Sequence, residues 1–246
     1  MHRDAEIVSD GCGGIWAMSG AESLEFLDVK RHIGGGANAH EIARVGHKSN
    51  IYPGGCGGNA WINVIRQDPD PFLENHLLEE GLWLLGSNSK QKINDEPHAP
   101  DTISPDGHGN LWYFYVNDNY KVELKRYTSN GQSEDTNMEF EMGHGPNVYG
   151  CNSSTSVFVT HQPYEVDGNV LQIMYVSQDA ESGQWSSLVI GECLHNNTKF
   201  ASDGNGGLWA LSGNGNNCRF WKCNEIMMEP ALEWDLSFAS AELVGG

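Results

Sequence analysis

Five histidines occupy one column of an internal repeat and are the strongest chemical signal in this sequence. Each lies fourteen residues before a large aromatic residue, and the chain contains only ten histidines. Imidazole changes its charge near neutral pH and is the commonest metal ligand among protein side chains. The column therefore predicts five equivalent positions for ligand binding or catalysis: His2, His47, His98, His144 and His195.

Short polar and aromatic residues accompany these histidines at fixed distances. Three residues after each histidine the column is mostly short and polar, and five residues after it the side chain is large and apolar. We predict one shallow site in each repeat, made of the histidine, a polar partner and an aromatic wall. The accompanying candidates for ligand binding are Asn50, Asp101, Asn147, Tyr52 and Tyr149.

The same column allows a catalytic and a purely structural interpretation. An enzyme of the lyase or cyclase type would use some of these groups as general acid, general base or metal ligands. Any divalent metal would bind a subset of the histidines, because five equivalent ligands fit no common metal geometry. We predict no cofactor, and the structural alternative is that each histidine only holds a loop. The catalytic candidates are His47, His98, His144, His195 and Asp101.

The aromatic residues that follow the histidines define the fold. They are separated by 45, 51, 46 and 51 residues, which is the length of a four-stranded propeller blade. We predict an all-β fold, a single five-bladed β-propeller of four-stranded antiparallel blades, with blades at about 2–46, 47–97, 98–143, 144–194 and 195–246. The anchor aromatics, which we expect to pack between blades, are Trp16, Trp61, Trp112, Phe158 and Trp209.

A Gly-rich segment precedes each anchor and predicts a tight turn between two strands. Residues 9–20 and 202–213 are near copies, and Gly, Asp and Asn dominate the turn, where positive φ costs little. In the third blade we predict strands at 101–104, 111–116, 121–127 and 138–141. The insertion at 67–80 is predicted as a surface loop with one helical turn at 73–78.

Several propeller families have similar repeats. The Asp-Gly-Asn-Gly-Gly-Leu-Trp run at 203–209 resembles the blades of sensor-type propellers and of virginiamycin B lyase, and it is similar to the blade pattern of tectonin lectins. The Gly-His pairs at 46–47 and 143–144 resemble the opening of WD-repeat blades. Blade count and length are similar to those of tachylectin-2-like lectins. These resemblances imply propeller architecture, and they select no activity, since propellers host binders, hydrolases and lyases.

Charge and composition restrict the partners. A net charge of −19 argues against binding to nucleic acid or anionic membranes, and no apolar run is long enough to span a bilayer. The start of the chain, Met1 to Asp4, has no signal-peptide pattern, which predicts a cytoplasmic protein, or a secreted one if the chain is a mature form. The six cysteines lack paired Cys-x-x-Cys spacing, and we expect reduced thiols.

Three functional hypotheses follow from these patterns. The first is a multivalent ligand-binding propeller, a soluble carbohydrate-binding lectin, which takes a glycan or small-molecule ligand and exists as a monomer or small homo-oligomer. The second is an enzyme that uses the histidines as acid, base or metal ligands. The third is a protein-interaction scaffold in which the histidines are structural.

Overall fold

The computed structural model consists of β-strands joined by turns. It describes residues 6–10, 13–20, 26–33, 39–46, 49–55, 58–65, 78–86, 88–96, 98, 102–116, 121–140, 146–162, 170–194, 198–203, 205–214, 217–224 and 227–234. Within this part of the chain, twenty strands form five sheets. None of the residues described belongs to a helix long and apolar enough to cross a membrane.

Each sheet has four strands that neighbour one another in chain order. The first sheet comprises β1 (Glu6–Ser9), β2 (Gly14–Gly20), β3 (Phe26–Ile33) and β4 (Ala39–Gly46). The second comprises β5 (Ser49–Pro53), β6 (Ala60–Val64), β7 (Gly81–Leu85) and β8 (Lys90–Asn94). The third comprises β9 (Ile103–Pro105), β10 (Leu111–Val116), β11 (Val122–Tyr127) and β12 (Ser133–Phe140).

The remaining eight strands repeat this arrangement. The fourth sheet comprises β13 (Asn147–Gly150), β14 (Ser156–His161), β15 (Val170–Gln178) and β16 (Trp185–Leu194). The fifth comprises β17 (Thr198–Ser202), β18 (Leu208–Asn214), β19 (Asn217–Cys223) and β20 (Met228–Trp234). Five antiparallel four-stranded sheets in succession are the blade architecture of a five-bladed β-propeller, and this confirms the predicted fold class.

The predicted strands of the third sheet agree with the observed ones except at its last strand. β10 has the predicted bounds, whereas β12 begins at Ser133 and not at the predicted residue 138. The added residues are exposed except for Thr136, so no hydrophobic alternation marks them in the sequence. The predicted helical turn at 73–78 lies outside the described residues except for Leu78, which is buried and donates its backbone N–H to the Arg44 carbonyl at 2.9 Å.

The chain packs as two compact units, each with its own core. The first unit comprises Met1–Pro100, Gly107–Leu111 and Tyr127–Ser133, and the second comprises Asp101–Asp106, Trp112–Arg126 and Glu134–Gly246. Apolar side chains of the first two sheets form one buried cluster in the first unit. The second unit contains two further clusters, one around Trp112 and one around Phe158. Whether the chain is a single domain stays a prediction.

Four of the five anchor aromatics are fully buried, as the repeat predicts. Trp16, Trp61, Trp112 and Phe158 have no exposed surface, and Trp209 is half-buried. In the first unit the indole Nε1 of Trp61 donates to the Gly109 carbonyl at 3.0 Å, so the second sheet's anchor holds the glycine turn that precedes β10. Among the residues that the structure describes, the buried Nε1 atoms of Trp16 and Trp112 have no hydrogen-bond partner.

The turns between the first and second strands of the sheets are of two lengths. Asp10 and Asp203 donate their backbone N–H to the carbonyl four residues later, at 3.0 Å in both cases, whereas Gly54 donates to the carbonyl of Asn59, five residues later. Val8 therefore pairs with Trp16, eight residues later, whereas Tyr52 pairs with Trp61, nine residues later. Because a one-residue shift moves a side chain to the other face of a sheet, residues at the same place in the repeat point to different faces in these two sheets.

We predict that replacement of Trp61 by Phe lowers the free energy of unfolding by about 1–3 kcal/mol, because the buried Gly109 carbonyl loses its donor. Trp83→Phe is the matched control, since the Trp83 Nε1 donates to the Glu79 carbonyl in an exposed position. Urea denaturation of both variants measures the difference. Equal effects of the two substitutions would show that the buried hydrogen bond contributes nothing specific.

Candidate functional site

The structure describes half of the residues predicted to form the histidine sites. Asn50, Tyr52, His98, Asn147 and Tyr149 lie in the described part of the chain. The other candidates lie outside the described residues: His2, His47, His144, His195 and Asp101. The five-histidine column therefore stays a prediction as a site, and of its members the structure describes His98.

His98 is held by the side chain of a buried asparagine. Asn63, on β6, donates its Nδ2 to the His98 carbonyl at 2.7 Å and accepts the His98 backbone N–H on Oδ1 at 3.0 Å. The imidazole lies 6.2 Å from the ring of Tyr127, and burial lowers the pKa of His98 to about 4. The imidazole is neutral and packed, and the Asn63 side chain holds the His98 backbone through two hydrogen bonds. Both features support the structural alternative for this histidine.

The polar candidates beside the histidines are cross-strand partners of two other polar residues. Asn50 pairs with Asn63, and Asn147 pairs with Thr160. The Asn50 Oδ1 and Thr160 Oγ1 atoms are buried and have no hydrogen-bond partner within the described part of the chain. The second and fourth sheets thus each have a polar cross-strand pair near the start of their first strands, Asn–Asn in one and Asn–Thr in the other.

The aromatic candidates lie directly opposite the anchors of their sheets. Tyr52 pairs with Trp61, and Tyr149 pairs with Phe158. The Tyr149 ring also lies 5.3 Å from the ring of Phe200. Both tyrosines are half-buried cross-strand neighbours of an anchor, which accounts for their position by packing alone.

A polar cleft in the second unit offers a better-defined site than the histidine column. Its volume is about 780 Å³, and it is lined by residues of β11, of β12, of the facing ends of β15 and β16, and of the turn that joins these ends. We call it the Trp185 cleft. The lining residues are Arg126, Glu134, Asp135, Thr136, Asn137, Gln178, Gly183, Gln184 and Trp185.

Arg126, which lines the Trp185 cleft, lies against two tryptophan rings. The guanidinium lies 5.4 Å from the ring centre of Trp112 and 5.9 Å from that of Trp185, and the two indoles meet edge to face at 5.3 Å. Arg126 also donates from Nε and Nη2 to Glu134 Oε2. Cation–π contacts and a two-donor ion pair restrain the charged group, so it is preorganised.

The turn that precedes Trp185 is closed by its own side chains. Asp179 accepts the Ser182 backbone N–H at 2.7 Å and the Ser182 hydroxyl at 2.8 Å, and these hydrogen bonds lower the pKa of Asp179. Gln178 donates its side-chain amide to the Gly183 carbonyl at 2.9 Å. Trp185 follows at the first position of β16 and pairs with Gln178. The half-buried indole is therefore positioned by a turn with few degrees of freedom.

On the other side of the Trp185 cleft, β12 exposes most of its polar side chains. Asn137 has a left-handed backbone, with φ of 56°, and its N–H binds the Asp135 carboxylate at 2.8 Å. Thr136, which precedes it, is buried and donates its hydroxyl to the Leu124 carbonyl. Asparagine tolerates this conformation better than most residues, so the local sequence favours it.

Sequence reasoning missed this cleft because it searched the repeat columns. Trp185 is one of four tryptophans outside the anchor column, with Trp83, Trp221 and Trp234. A tryptophan that directly follows a Gly/Ser/Gln turn is the one signal in the sequence that marks it. Its contact with Arg126 joins different sheets and has no counterpart in the one-dimensional pattern.

The described residues show neither a metal cluster nor a disulfide. No group of three His, Cys, Asp or Glu side chains among them is arranged to hold a metal ion. Cys151, Cys193 and Cys223 are free thiols, and burial raises the pKa of Cys223 to about 12. At neutral pH this thiol is protonated, which makes it a poor nucleophile.

Comparison with known proteins supports the fold and leaves the family undetermined. No protein-family model and no curated protein matches the chain. A prolyl endopeptidase structure matches 92% of this chain with a TM-score of 0.60 and 9% identity. A functionally unknown protein from Desulfotomaculum acetoxidans matches 95% of it with a TM-score of 0.51 and 15% identity. At these identities the likeness shows the β-propeller fold alone.

The matched proteins are longer than this chain. It spans 34% of the prolyl endopeptidase and 70% of the Desulfotomaculum protein. TolB from Acinetobacter baumannii, with a TM-score of 0.49 and 11% identity over 95% of this chain, is spanned over 56% of its length. The resemblance to tectonin, tachylectin-2-like and virginiamycin B lyase propellers stays a prediction.

We predict that the free energy of unfolding falls as the pH is lowered from about 6.5 to about 4, because His98 is protonated in the unfolded chain and not in the folded protein. The unfolded chain binds a proton in this range and the folded protein does not, so acid favours unfolding, by about 3 kcal/mol at most. The free energy of unfolding of His98→Gln should therefore depend less on pH than that of the wild type. His108→Gln, at an exposed histidine, is the control, and an unchanged pH profile in His98→Gln would contradict the buried neutral imidazole.

Proposed function

We propose that the protein is a ligand-binding propeller, a lectin, and that it binds carbohydrate in the Trp185 cleft. One observation carries this proposal: a half-buried indole lies beside a restrained guanidinium and the polar side chains of Asn137, Gln178 and Gln184 in one open cleft. The indole offers a flat apolar face to the C–H face of a sugar ring. The amides and carboxylates supply donors and acceptors for its hydroxyl groups.

The size and shape of the cleft support a saccharide of one or a few units. About 780 Å³ lies within the range of roughly 300–1,000 Å³ typical of small-molecule sites. The cleft is open and mostly polar, which suits a hydroxylated ligand more than an apolar one. Preorganised side chains also reduce the entropy lost on binding.

Charge supports a neutral glycan over an acidic one in the Trp185 cleft. Arg126 is compensated by Glu134, and Asp135 lies 3.6 Å from the Lys125 ammonium, so the lining holds no uncompensated cation for an acidic ligand. The chain as a whole has a net charge of −19. Polyanions such as nucleic acids are repelled by this surface, which agrees with the predicted absence of nucleic-acid partners.

The five-histidine column is a second proposed location for the same function. Repeated weak sites at His2, His47, His98, His144 and His195 would raise avidity through multivalency. At His98, however, the hydrogen bonding to Asn63 and the burial of the imidazole favour a structural role. We therefore assign carbohydrate binding first to the Trp185 cleft, with a monomer or small homo-oligomer as the binding species.

A protein-interaction scaffold is the second candidate function. Leu188 and Val189, on β16, are 52% and 46% exposed. These two side chains point to opposite faces of the sheet, and exposed apolar residues on the last strand offer its edge to another protein. The enzyme hypothesis depends on His98 and on three histidines outside the described residues, and it stays a hypothesis.

We predict specific signals for neutral glycans when the pure protein is screened on a glycan array. Trp185→Ala should lower the apparent affinity at least tenfold, and the milder Asn137→Gly should lower it several-fold, because glycine keeps the left-handed backbone and removes only the amide. Trp83→Ala is the control, since this half-buried indole lies outside the cleft. A blank array with folded protein would reject the lectin proposal and favour the scaffold.

A further inference from the structure

The last strand of the fourth sheet, β16, has an open edge. It stands at the end of its sheet, and in the described part of the chain it pairs with β15 alone. Residues 186–189 are all exposed. Further along the strand, a Cβ atom at Gly191 would lie 2.7 Å from the Met228 Cβ, so Met228 covers the strand there. The open part of the edge is therefore residues 185–189, whose outward backbone N–H and C=O groups can pair with an added strand.

This edge lacks the protection found on the last strand of every other sheet. Charged residues and proline on an edge strand discourage pairing with another chain. In the other four sheets the last strand contains such residues: Glu41 and Arg44 in β4, Lys90 and Lys92 in β8, Glu134, Asp135 and Glu139 in β12, and Glu229, Pro230 and Glu233 in β20. Residues 185–191 of β16 read Trp-Ser-Ser-Leu-Val-Ile-Gly and contain neither charge nor proline. Of the five last strands, β16 is thus the one best suited to accept a further strand.

Two apolar rows cross the fourth sheet and end at this edge. On one face Phe158 pairs with Tyr175, and Tyr175 pairs with Leu188. The row on the other face consists of Val159, Met174 and Val189. In both rows the side chain is fully buried on β14, half-buried on β15 and exposed on β16. An added strand with two adjacent apolar residues would lengthen both rows and cover Leu188 and Val189.

The charges of the fourth sheet select a cationic partner. No Lys or Arg occurs between Arg126 and Lys199, although the chain contains 14 of these residues. Exposed carboxylates lie beyond both ends of the open edge, at Asp179 and Glu181 in the turn before β16 and at Glu192 near its end. Positive charges on both sides of an apolar centre complement this arrangement. A second copy of the chain would instead bring two anionic surfaces together, each on a protein with a net charge of −19.

We propose that β16 is a docking site for an extended segment of another protein, which pairs with residues 185–189 as a fifth, antiparallel strand. The segment has two adjacent apolar residues, which contact Leu188 and Val189, and a Lys or Arg on each side of them, for Glu181 and Glu192. In this mode of recognition the backbone hydrogen bonds supply affinity and the side chains supply specificity. The proposal rests on the scaffold candidate, to which it gives a partner class, and it does not depend on carbohydrate binding in the Trp185 cleft.

The test is fluorescence anisotropy with a dye-labelled, C-terminally amidated peptide, Lys-Val-Leu-Thr-Thr-Lys. We expect the wild-type protein to bind it at least tenfold more tightly than the same peptide with Glu in place of both Lys residues, and sodium chloride to weaken the binding. A copy with N-methylated backbone amides keeps the side chains and loses the donors, so it should bind at least tenfold more weakly. No binding, or equal affinity for the N-methylated copy, would overturn the proposal.

Variants of the protein test the edge and its charges separately. Leu188→Lys puts a charge on the open edge at an exposed position, and it should lower peptide affinity at least tenfold. Ile33→Lys makes the same change at an exposed apolar side chain of the first unit and should have no effect. Glu181→Gln and Glu192→Gln should each lower the affinity several-fold. Wild-type affinity in Leu188→Lys would refute the assignment.

Sedimentation velocity of the protein alone distinguishes the proposed partner from a second copy. The same sedimentation coefficient in the wild type and in Leu188→Lys supports a partner of another kind, whereas a dimer that dissociates in Leu188→Lys would assign the edge to a second copy and overturn the proposal. A blank glycan array would leave the peptide result unaffected, and a failure of peptide binding would leave the lectin proposal standing.

Discussion

The burial of one aromatic side chain on the second strand of each sheet is the interaction on which the rest of the structure depends. Four of these anchors have no exposed surface, and Trp16, Trp112 and Phe158 belong to buried apolar clusters. An indole buries more area than any other side chain, so one such residue per blade outweighs much irregularity in the loops. This explains how the repeat tolerates an insertion in its second blade and turns of two lengths.

The sheets differ in the surroundings of the cation that lies over the anchor ring. The third strand supplies a cation above Trp16, Trp112 and Trp209, but the environment differs in each sheet. Arg31 is closed onto a turn aspartate, Arg126 is shared with Trp185, and Lys222 is half exposed. A cation over the anchor ring thus forms a closed ion pair in the first sheet, and it lines a polar cleft in the third and fifth sheets.

The clefts and the histidine column lead to different expectations of symmetry. A ring of equivalent histidines would give repeated identical sites, whereas two clefts in the described part of the chain have different linings, one with Arg126 and Trp185 and one with Tyr175 and Lys222. The buried, neutral His98 supports a structural reason for retaining a repeated residue.

The sequence by itself determined the architecture, because the period of the anchors and the alternation of β11 are local properties of the chain. It also identified the glycine turns and the burial of the anchors. The turn length in each sheet, and with it the face on which Tyr52 or Val8 lies, was decided by the hydrogen bonds that close the turn. Only the tertiary structure brought Arg126 to Trp185, because this contact joins residues of different sheets and no spacing along the chain encodes it.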